Sequence, residues 1–259
     1  MTYRETDLID KINKYFAESG IDPSQPGALA TFDQYHAGGT QAVDLLLGSL
    51  ELSAATSLLD VGSGFGGPAR YIADKVGTRV VGVDITPAYV EASTWLTELC
   101  GLSELVSFRL GDIADYQPEA RFDAAITMHV QMNVATKRDW YGEISRRLVP
   151  GGRLAIWEVC RSGDEQPDWP MPWSLDGTDS HLDTPDGLQA AITGAGFETL
   201  EWQDCTAWVS DWFAGLRVAG APPGPALLED GLTRVLNYLG ALSSGTVKIY
   251  RGAFVKTGS

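Results

Sequence analysis

The stretch Leu58-Leu59-Asp60-Val61-Gly62-Ser63-Gly64-Phe65-Gly66-Gly67-Pro68-Ala69-Arg70-Tyr71 constrains this chain more than any other. Leu58, Leu59 and Val61 suit a strand hidden on both faces. Gly62, Gly64, Gly66 and Gly67 allow a sharp turn and bring backbone close to a ligand. Pro68 fits the first turn of a helix, where a missing N–H is harmless. Backbone N–H groups at such a helix start can face an anionic group. A buried strand, a glycine turn and a helix therefore follow one another, and the other elements are read by what this turn holds.

Two ligand classes use such a turn. Gly62-x-Gly64-x-x-Gly67 matches the dinucleotide fingerprint, with Asp84 near the distance of a ribose-binding acid. Taken alone, that pattern predicts an NAD-dependent oxidoreductase. Asp60, two residues before the first glycine, points instead to S-adenosylmethionine (SAM). A carboxylate there takes the positive amino group of the methionine moiety, directly or through water, and repels a pyrophosphate. Tyr71-x-x-x-Lys75 matches the pair of short-chain dehydrogenases but falls in the helix directly after the turn, the wrong place for that chemistry.

Strand and helix patterns alternate, which predicts a parallel sheet. Strands are expected at 57–61, 79–84, 105–110, 122–128 and 152–159, with helices at 67–76, 87–100 and 136–148. Gly77 stops a helix, Thr86-Pro87 caps one, and Pro150-Gly151-Gly152 is a turn before a strand. Upstream, residues 5–19 place Leu8, Ile9, Ile12, Tyr15 and Phe16 at helical spacing, Gly20 to Gly39 reads as loop, and Gln41 to Leu50 as helix. Downstream, Arg161 to Asp183 is a long loop holding Trp169-Pro170-Met171-Pro172-Trp173. A helix from Thr184 to about Ala195, a strand from Phe197 to Asp204 and a helix over 207–219 follow. Pro222-Pro223-Gly224-Pro225 then breaks the chain before a helix over 227–242 and a last strand over 246–256. This organisation reads as one domain over 1–259: a helical cap at 1–50, a core at 57–160 and an acceptor-side part at 161–259.

From residue 57 to 160 the chain resembles the class I SAM-dependent methyltransferases. The matching stretches, in order, are Leu59 to Gly67, Val81-Gly82-Val83-Asp84, Gly111-Asp112-Ile113, Phe122-Asp123-Ala124-Ala125 and Leu148-Val149-Pro150-Gly151-Gly152-Arg153-Leu154. Ahead of them, Phe32-Asp33-Gln34-Tyr35-His36-Ala37-Gly38-Gly39 resembles the segment before the SAM domain in bacterial small-molecule methyltransferases akin to sarcosine/dimethylglycine and natural-product enzymes, where an N-terminal lid closes over the cofactor. The resemblance implies an α/β, Rossmann-like, seven-stranded, mostly parallel sheet with helices on both faces and a helical N-terminal cap. The last strand would run antiparallel between strands five and six. It further implies SAM held at the turn by Asp60, Gly62, Ser63, Gly64 and Gly66, with Asp84 on the ribose hydroxyls. Asp112 would accept from the adenine amine, with Ile85 and Ile113 on the ring faces. Met128, His129, Tyr35 and His36 would lie beside the cofactor.

Strand four ends in Thr127-Met128-His129-Val130-Gln131-Met132-Asn133, beyond the carboxyl edge of the sheet where ligands of open α/β folds bind. His129 there serves as a general base, as a cofactor contact, or as a structural residue that holds the loop by hydrogen bonds. Gln131 and Asn133 orient an acceptor or cap the loop. Trp169, Met171, Trp173, Trp208 and Trp212, with Phe213, wall an apolar acceptor pocket or pack as core. The expected reaction is in-line methyl transfer from SAM to nitrogen, oxygen or carbon of a small molecule. A second reading keeps SAM as a structural ligand beside another reaction, such as a cyclisation.

A net charge of −15 argues against a nucleic-acid partner. No apolar run approaches the ~20 residues of a membrane span, and the polar start Met1 to Asp7 is no secretion signal. Cys100, Cys160 and Cys205 are odd in number and far apart, which suggests reduced thiols in a cytosol. No Cys or His pair has zinc spacing, so no metal is expected. The sequence leaves monomer and homodimer equally open.

Overall fold

A computed structural model describes residues 7–25, 27–218 and 230–258. Its elements run α1 (Leu8–Ser19), α2 (Gly39–Leu47), β1 (Ser57–Val61), α3 (Gly67–Val76), β2 (Arg79–Asp84), α4 (Pro87–Leu99), β3 (Val106–Leu110) and β4 (Phe122–Met128). Then come α5 (Lys137–Arg147), β5 (Leu148–Arg161), α6 (Pro185–Gly194), β6 (Phe197–Asp204), α7 (Thr206–Val218), α8 (Gly231–Ser244) and β7 (Val247–Lys256). Short 3₁₀ turns occupy Ala28–Thr31 and Gln131–Asn133. The strands form one sheet in the order β3-β2-β1-β4-β5-β7-β6. β1 to β5 pair in parallel, and β7 runs antiparallel to both β5 and β6. This is the seven-stranded α/β sheet that the sequence resemblance implied.

The two-faced burial of the strands sets the layers. Leu58, Val80, Ile126 and Trp157 pack on one face with residues of α2, α3, α7 and α8. Their neighbours Leu59, Val61, Ala125 and Ile156 pack on the other with α5 and α6. Each fully buried Leu, Ile or Phe contributes about 1.5–3 kcal/mol by leaving water. Strand order reverses between β1 and β4, which opens a crevice at the carboxyl ends of the strands.

The N-terminal cap is tied to the glycine turn. Leu8, Ile12, Phe16, Leu29 and Phe32 cluster with Phe65 of the turn and with Tyr89, Ala92 and Leu96 of α4. Phe65 stacks on Phe32 at 5.9 Å and meets Tyr35 and Tyr89 edge-on at 4.5 and 4.8 Å. A buried Arg70 of α3 clasps the same region, donating to Asp33 at 2.8 Å, to the Ser93 carbonyl at 3.2 Å and to Thr97 at 3.1 Å. Trp157 Nε1 donates to the Ala37 carbonyl at 2.9 Å, which fixes the cap to β5.

Some expectations need correcting. β5 begins at Leu148, not 152, because Leu148 pairs with Phe122 across a register shift. The Pro150-Gly151-Gly152 turn is thus an irregularity within a strand, with Gly151 at φ 75°. Thr86 makes no side-chain cap; instead its N–H donates to Asp84 Oδ1 at 2.8 Å. α2 starts at Gly39 and ends at Leu47, and α8 extends to Ser244. The Pro222 to Pro225 break, residues 5–6 of the first expected helix and 227–229 of the last lie outside the described residues. No described helix is long and apolar enough to cross a membrane.

Candidate active site

A cavity of about 1040 Å³ opens at the carboxyl ends of β1 to β4. Its floor is the glycine turn, where Gly62, Gly64 and Gly66 all take the left-handed conformation. A Cβ on Gly62 would meet Val130 at 2.5 Å, and one on Gly66 would meet Phe108 at 2.3 Å. Only Gly64 of the turn faces open space. Gly62 and Gly64 line the cavity, but Gly66 and Ser63 do not. Gly66 is spent on packing against Phe108, and Ser63 is buried with its hydroxyl beside Gly82.

Three carboxylates follow at successive strand ends. Asp84, at the tip of β2, accepts from Gly64 N–H and Thr86 N–H at 2.8 Å each. These bonds aim it across the turn and leave each oxygen a further lone pair. Burial raises its pKa against the pull of those donors. Asp112 is exposed at the cavity wall after β3, with Oδ1 accepting from Ala114 N–H at 2.9 Å. Ile113 is buried and Ile85 is exposed, and both line the cavity. Asp60 lies beneath the wall rather than in it. It is 2% exposed, and its Oδ2 has no partner among the described residues. Burial, and then the charge of Asp84, push its pKa up to about 7.

The fourth strand ends at His129, a non-glycine residue at φ 55°. Its N–H donates to the Trp157 carbonyl at 2.8 Å. The loop beyond is held by Glu158, which is fully buried on β5. Glu158 accepts from Thr127 Oγ1 at 2.7 Å and from Val130 and Gln131 N–H at 3.0 and 3.3 Å. Burial nonetheless raises it to about 7. His129 Nε2 is sealed from solvent and has no partner among the described residues. Burial, and then the nearby His36, hold its pKa well below the usual histidine range. His36 sits 6.3 Å away, ring edge to ring face, bonded to Gln34 Oε1 at 3.0 Å and lowered by burial to about 4.

The cavity brings together Tyr35, His36, Asp84, Ile85, Asp112, Ile113, Met128, His129, Asn133, Trp173 and Trp212. Gln131, Trp169, Met171 and Trp208 are not in its lining, in keeping with the loop-cap and core-packing alternatives that the sequence left open for them. Gln131 is fully buried and donates to the Val159 carbonyl at 2.5 Å, so it holds the loop. Asn133 does line the cavity, but its amide donates to the carbonyls of Trp173 and Asp179 at 2.9 and 3.1 Å. Trp208 packs edge-on against Trp157 at 5.6 Å. Met171 is fully buried, and Trp169 lies over Gly177.

Sequence reasoning missed Glu158 and Tyr238. A carboxylate inside the apolar run Leu154-Ala155-Ile156-Trp157-Glu158-Val159-Cys160 was the available signal for the first. Tyr238 reaches the cavity from α8, 6.2 Å from His129, 5.8 Å from Trp173 and 6.1 Å from Phe213, and its spacing carried no such signal.

SAM fits this donor set. The cavity carries Asp84, Asp112, Asp139 and Glu143, and no Lys or Arg lines it among the described residues. A cationic adenosyl ligand meets complementary charge, with the orphaned Asp60 Oδ2 below. A pyrophosphate would meet those carboxylates and, among the described residues, no lysine or arginine of the lining, so the donor set favours the sulfonium over the dinucleotide of the oxidoreductase reading.

Residues 59–156 match a family described as "Methyltransferase domain". The chain is 30% identical to a probable chloroplastic tocopherol O-methyltransferase of Oryza sativa subsp. japonica, over 77% of this chain and 54% of that protein. It is 29% identical to methyltransferase GfsG of Streptomyces halstedii, over 80% of this chain and 70% of that one. The chain spans about half the length of the first curated relatives it matches. In fold it is similar to geranyl diphosphate C-methyltransferase from Streptomyces coelicolor A3(2), with TM-score 0.71, 16% identity and coverage of 97% and 99% of the two chains.

Proposed function

Because residues 59–156 match a family described as "Methyltransferase domain", we propose that the chain transfers a methyl group from SAM to a small-molecule acceptor, an activity of the natural-product type. One observation carries this reading most. Carboxylates end three neighbouring parallel strands, and a histidine ends the fourth beside them. Bound SAM supplies a methyl group already activated by the sulfonium charge. The residues then have three tasks. Asp84 holds the ribose hydroxyls through its remaining lone pairs, and Asp112 takes the adenine amine. The charge of Asp84 favours the cationic ligand, and the bound cation in turn favours the ionised form of Asp60 below it. Tyr35, His36 and Trp212 close over the cavity and exclude water. Alignment of the acceptor atom at ~3–3.5 Å from the methyl carbon is the main source of rate. A hydroxyl or carbon acid also needs a base; His129 and His36 line the cavity, and burial keeps both unprotonated at the cost of their basicity. A reducing compartment such as the cytosol suits Cys100, Cys160 and Cys205, which are free thiols.

The test is incubation of the protein with methyl-labelled SAM and a library of small-molecule acceptors. Label should pass to product with release of S-adenosylhomocysteine. Conversion of a substrate without label transfer, while the adenosyl ligand stays bound, would replace methyl transfer with the structural-SAM reading.

A further inference from the structure

A chain of polar contacts runs from beneath the glycine turn to the wall of the cavity. It begins at Arg70 of α3, whose side chain is almost fully buried. Its Nη2 donates to the Phe65 carbonyl of the turn and, at 2.8 Å, to Asp33 Oδ2 of the cap. A guanidinium stays charged when buried, and an uncharged neighbour would leave that charge uncompensated. Burial raises the Asp33 pKa, and the charge of Arg70 works against that rise. The pair therefore holds Asp33 as the carboxylate, an acceptor at both oxygens. The cap rests directly on the helix start at this point. A Cβ on Gly67 would meet the Asp33 carbonyl at 2.4 Å and Gln34 Nε2 at 2.6 Å, so only glycine lets these two residues dock.

Gln34 spans the remaining distance. Its Nε2 donates to Asp33 Oδ1 at 2.9 Å, and its Oε1 lies 3.0 Å from His36 Nε2. A reversed amide would set two acceptors face to face at Asp33, so the carboxylate decides which end of the amide meets the imidazole. The other ring nitrogen, Nδ1, lies 3.3 Å from the Ala37 carbonyl, which already accepts from Trp157 Nε1 at 2.9 Å. Burial lowers the His36 pKa to about 4, so at neutral pH a single ring proton faces two acceptors. Gln34 Oε1 is the closer of the two, and the Ala37 carbonyl already has the indole N–H. The proton therefore belongs on Nε2. His36 itself lines the cavity, as does Tyr35 beside it in sequence.

We propose that Asp33 and Gln34 are positioning residues of the cofactor cavity: anchored by Arg70, they hold His36 as its Nε2–H tautomer, a fixed wall beside the adenosyl ligand with both ring nitrogens turned to cap atoms. This rests on the SAM reading above. The guanidinium that holds the Phe65 carbonyl also holds the wall, so turn and wall keep one spacing. His36 so held shapes the cavity and exchanges no proton with the ligand.

The test labels the three histidines of the full chain with ¹⁵N and assigns His36 by the signal lost in His36→Asn. Ring-nitrogen NMR at neutral pH should show the wild type protonated at Nε2. Gln34→Met removes both ends of the amide and leaves the Ala37 carbonyl as the acceptor, so the proton should move to Nδ1. Calorimetric titration with S-adenosylhomocysteine should show binding weakened about fivefold or more in the same variant. Gln34→Asn, one methylene short of spanning Asp33 and His36, is measured in parallel and should behave alike, which keeps the test open where Gln34→Met does not fold. A wild type protonated at Nδ1, an Nε2–H tautomer that survives substitution of Gln34, or unchanged affinity in the folded variants overturns the proposal and leaves SAM binding standing. Packing alone would not move the tautomer. Failure of S-adenosylhomocysteine to bind the wild-type chain would instead remove the SAM reading, and this role of the cap with it.

Discussion

Asp60 and Glu158 are acids placed where water does not reach, and both are raised to about 7, first of all by burial. The folded chain therefore holds protons on them that the unfolded chain has released. Their contribution to stability is fullest below the ordinary carboxylate range and is lost as pH rises through 7. The change in urea midpoint between pH 5.5 and pH 8 should be more negative in the wild type than in Glu158→Gln, the opposing contribution of the buried neutral His36 and His129 being common to both; equal pH dependence in the two would contradict the assignment. Glu158→Gln also loosens the two N–H bonds that follow His129, so kcat should drop roughly ten- to a hundredfold with KM for SAM little changed, measured by initial rates. Asp60 was legible by its offset from the glycine turn, and Asp84 and Asp112 through the resemblance, which assigns an acid to the end of each of those strands. Glu158 and Tyr238 were not. Their significance depends on Val130, Gln131 and His129, which come near them only once β4, β5 and α8 are packed.

Between elements, one tight joint is where α7 crosses the start of α2. Gly38 sits at φ 96°, and a Cβ there would meet Ala42 at 2.7 Å and Trp208 at 2.8 Å. Trp212 similarly covers Gly39. Gly38→Ala should destabilise the chain by about 1–3 kcal/mol through overpacking. Gly240 lies on the exposed face of α8 with nothing near its would-be Cβ. Gly240→Ala should stabilise by about 0.5–1 kcal/mol. Chemical denaturation of the two variants checks both signs at once. Periodicity gave α3 and β2 to the residue, since Gly77 and Asp84 mark their ends clearly. It placed β5 four residues late, because a register shift within a strand breaks the alternation that periodicity reads. It also counted Trp208 and Met171 with Trp173 as one apolar wall. Composition does not reveal which of several large apolar side chains faces a cavity and which faces the core.

Across the molecule, the Asp33–Arg70 pair joins the N-terminal cap to the sheet, with both side chains almost fully buried. Asp33→Ala leaves the guanidinium without its anion and should cost about 3–5 kcal/mol. Limited proteolysis should then cut near residues 20–27 before the core is attacked; cleavage elsewhere first would show that the pair does not hold the cap. The sheet order was legible from five ordered stretches of sequence, since they fix which strand carries the turn and which carries each acid. The acceptor end was not, because it is assembled from α7, α8 and the loop after β5, which meet only in three dimensions. What unites the proposed function is a carboxylate-lined crevice whose charge complements a cationic adenosyl group. Calorimetric titration of the wild-type chain and Asp84→Asn with SAM tests that claim most directly. The wild type should bind, and Asp84→Asn should bind at least tenfold more weakly, as expected for losing charge-assisted bonds to the ribose. Equal affinity in the two proteins would contradict it.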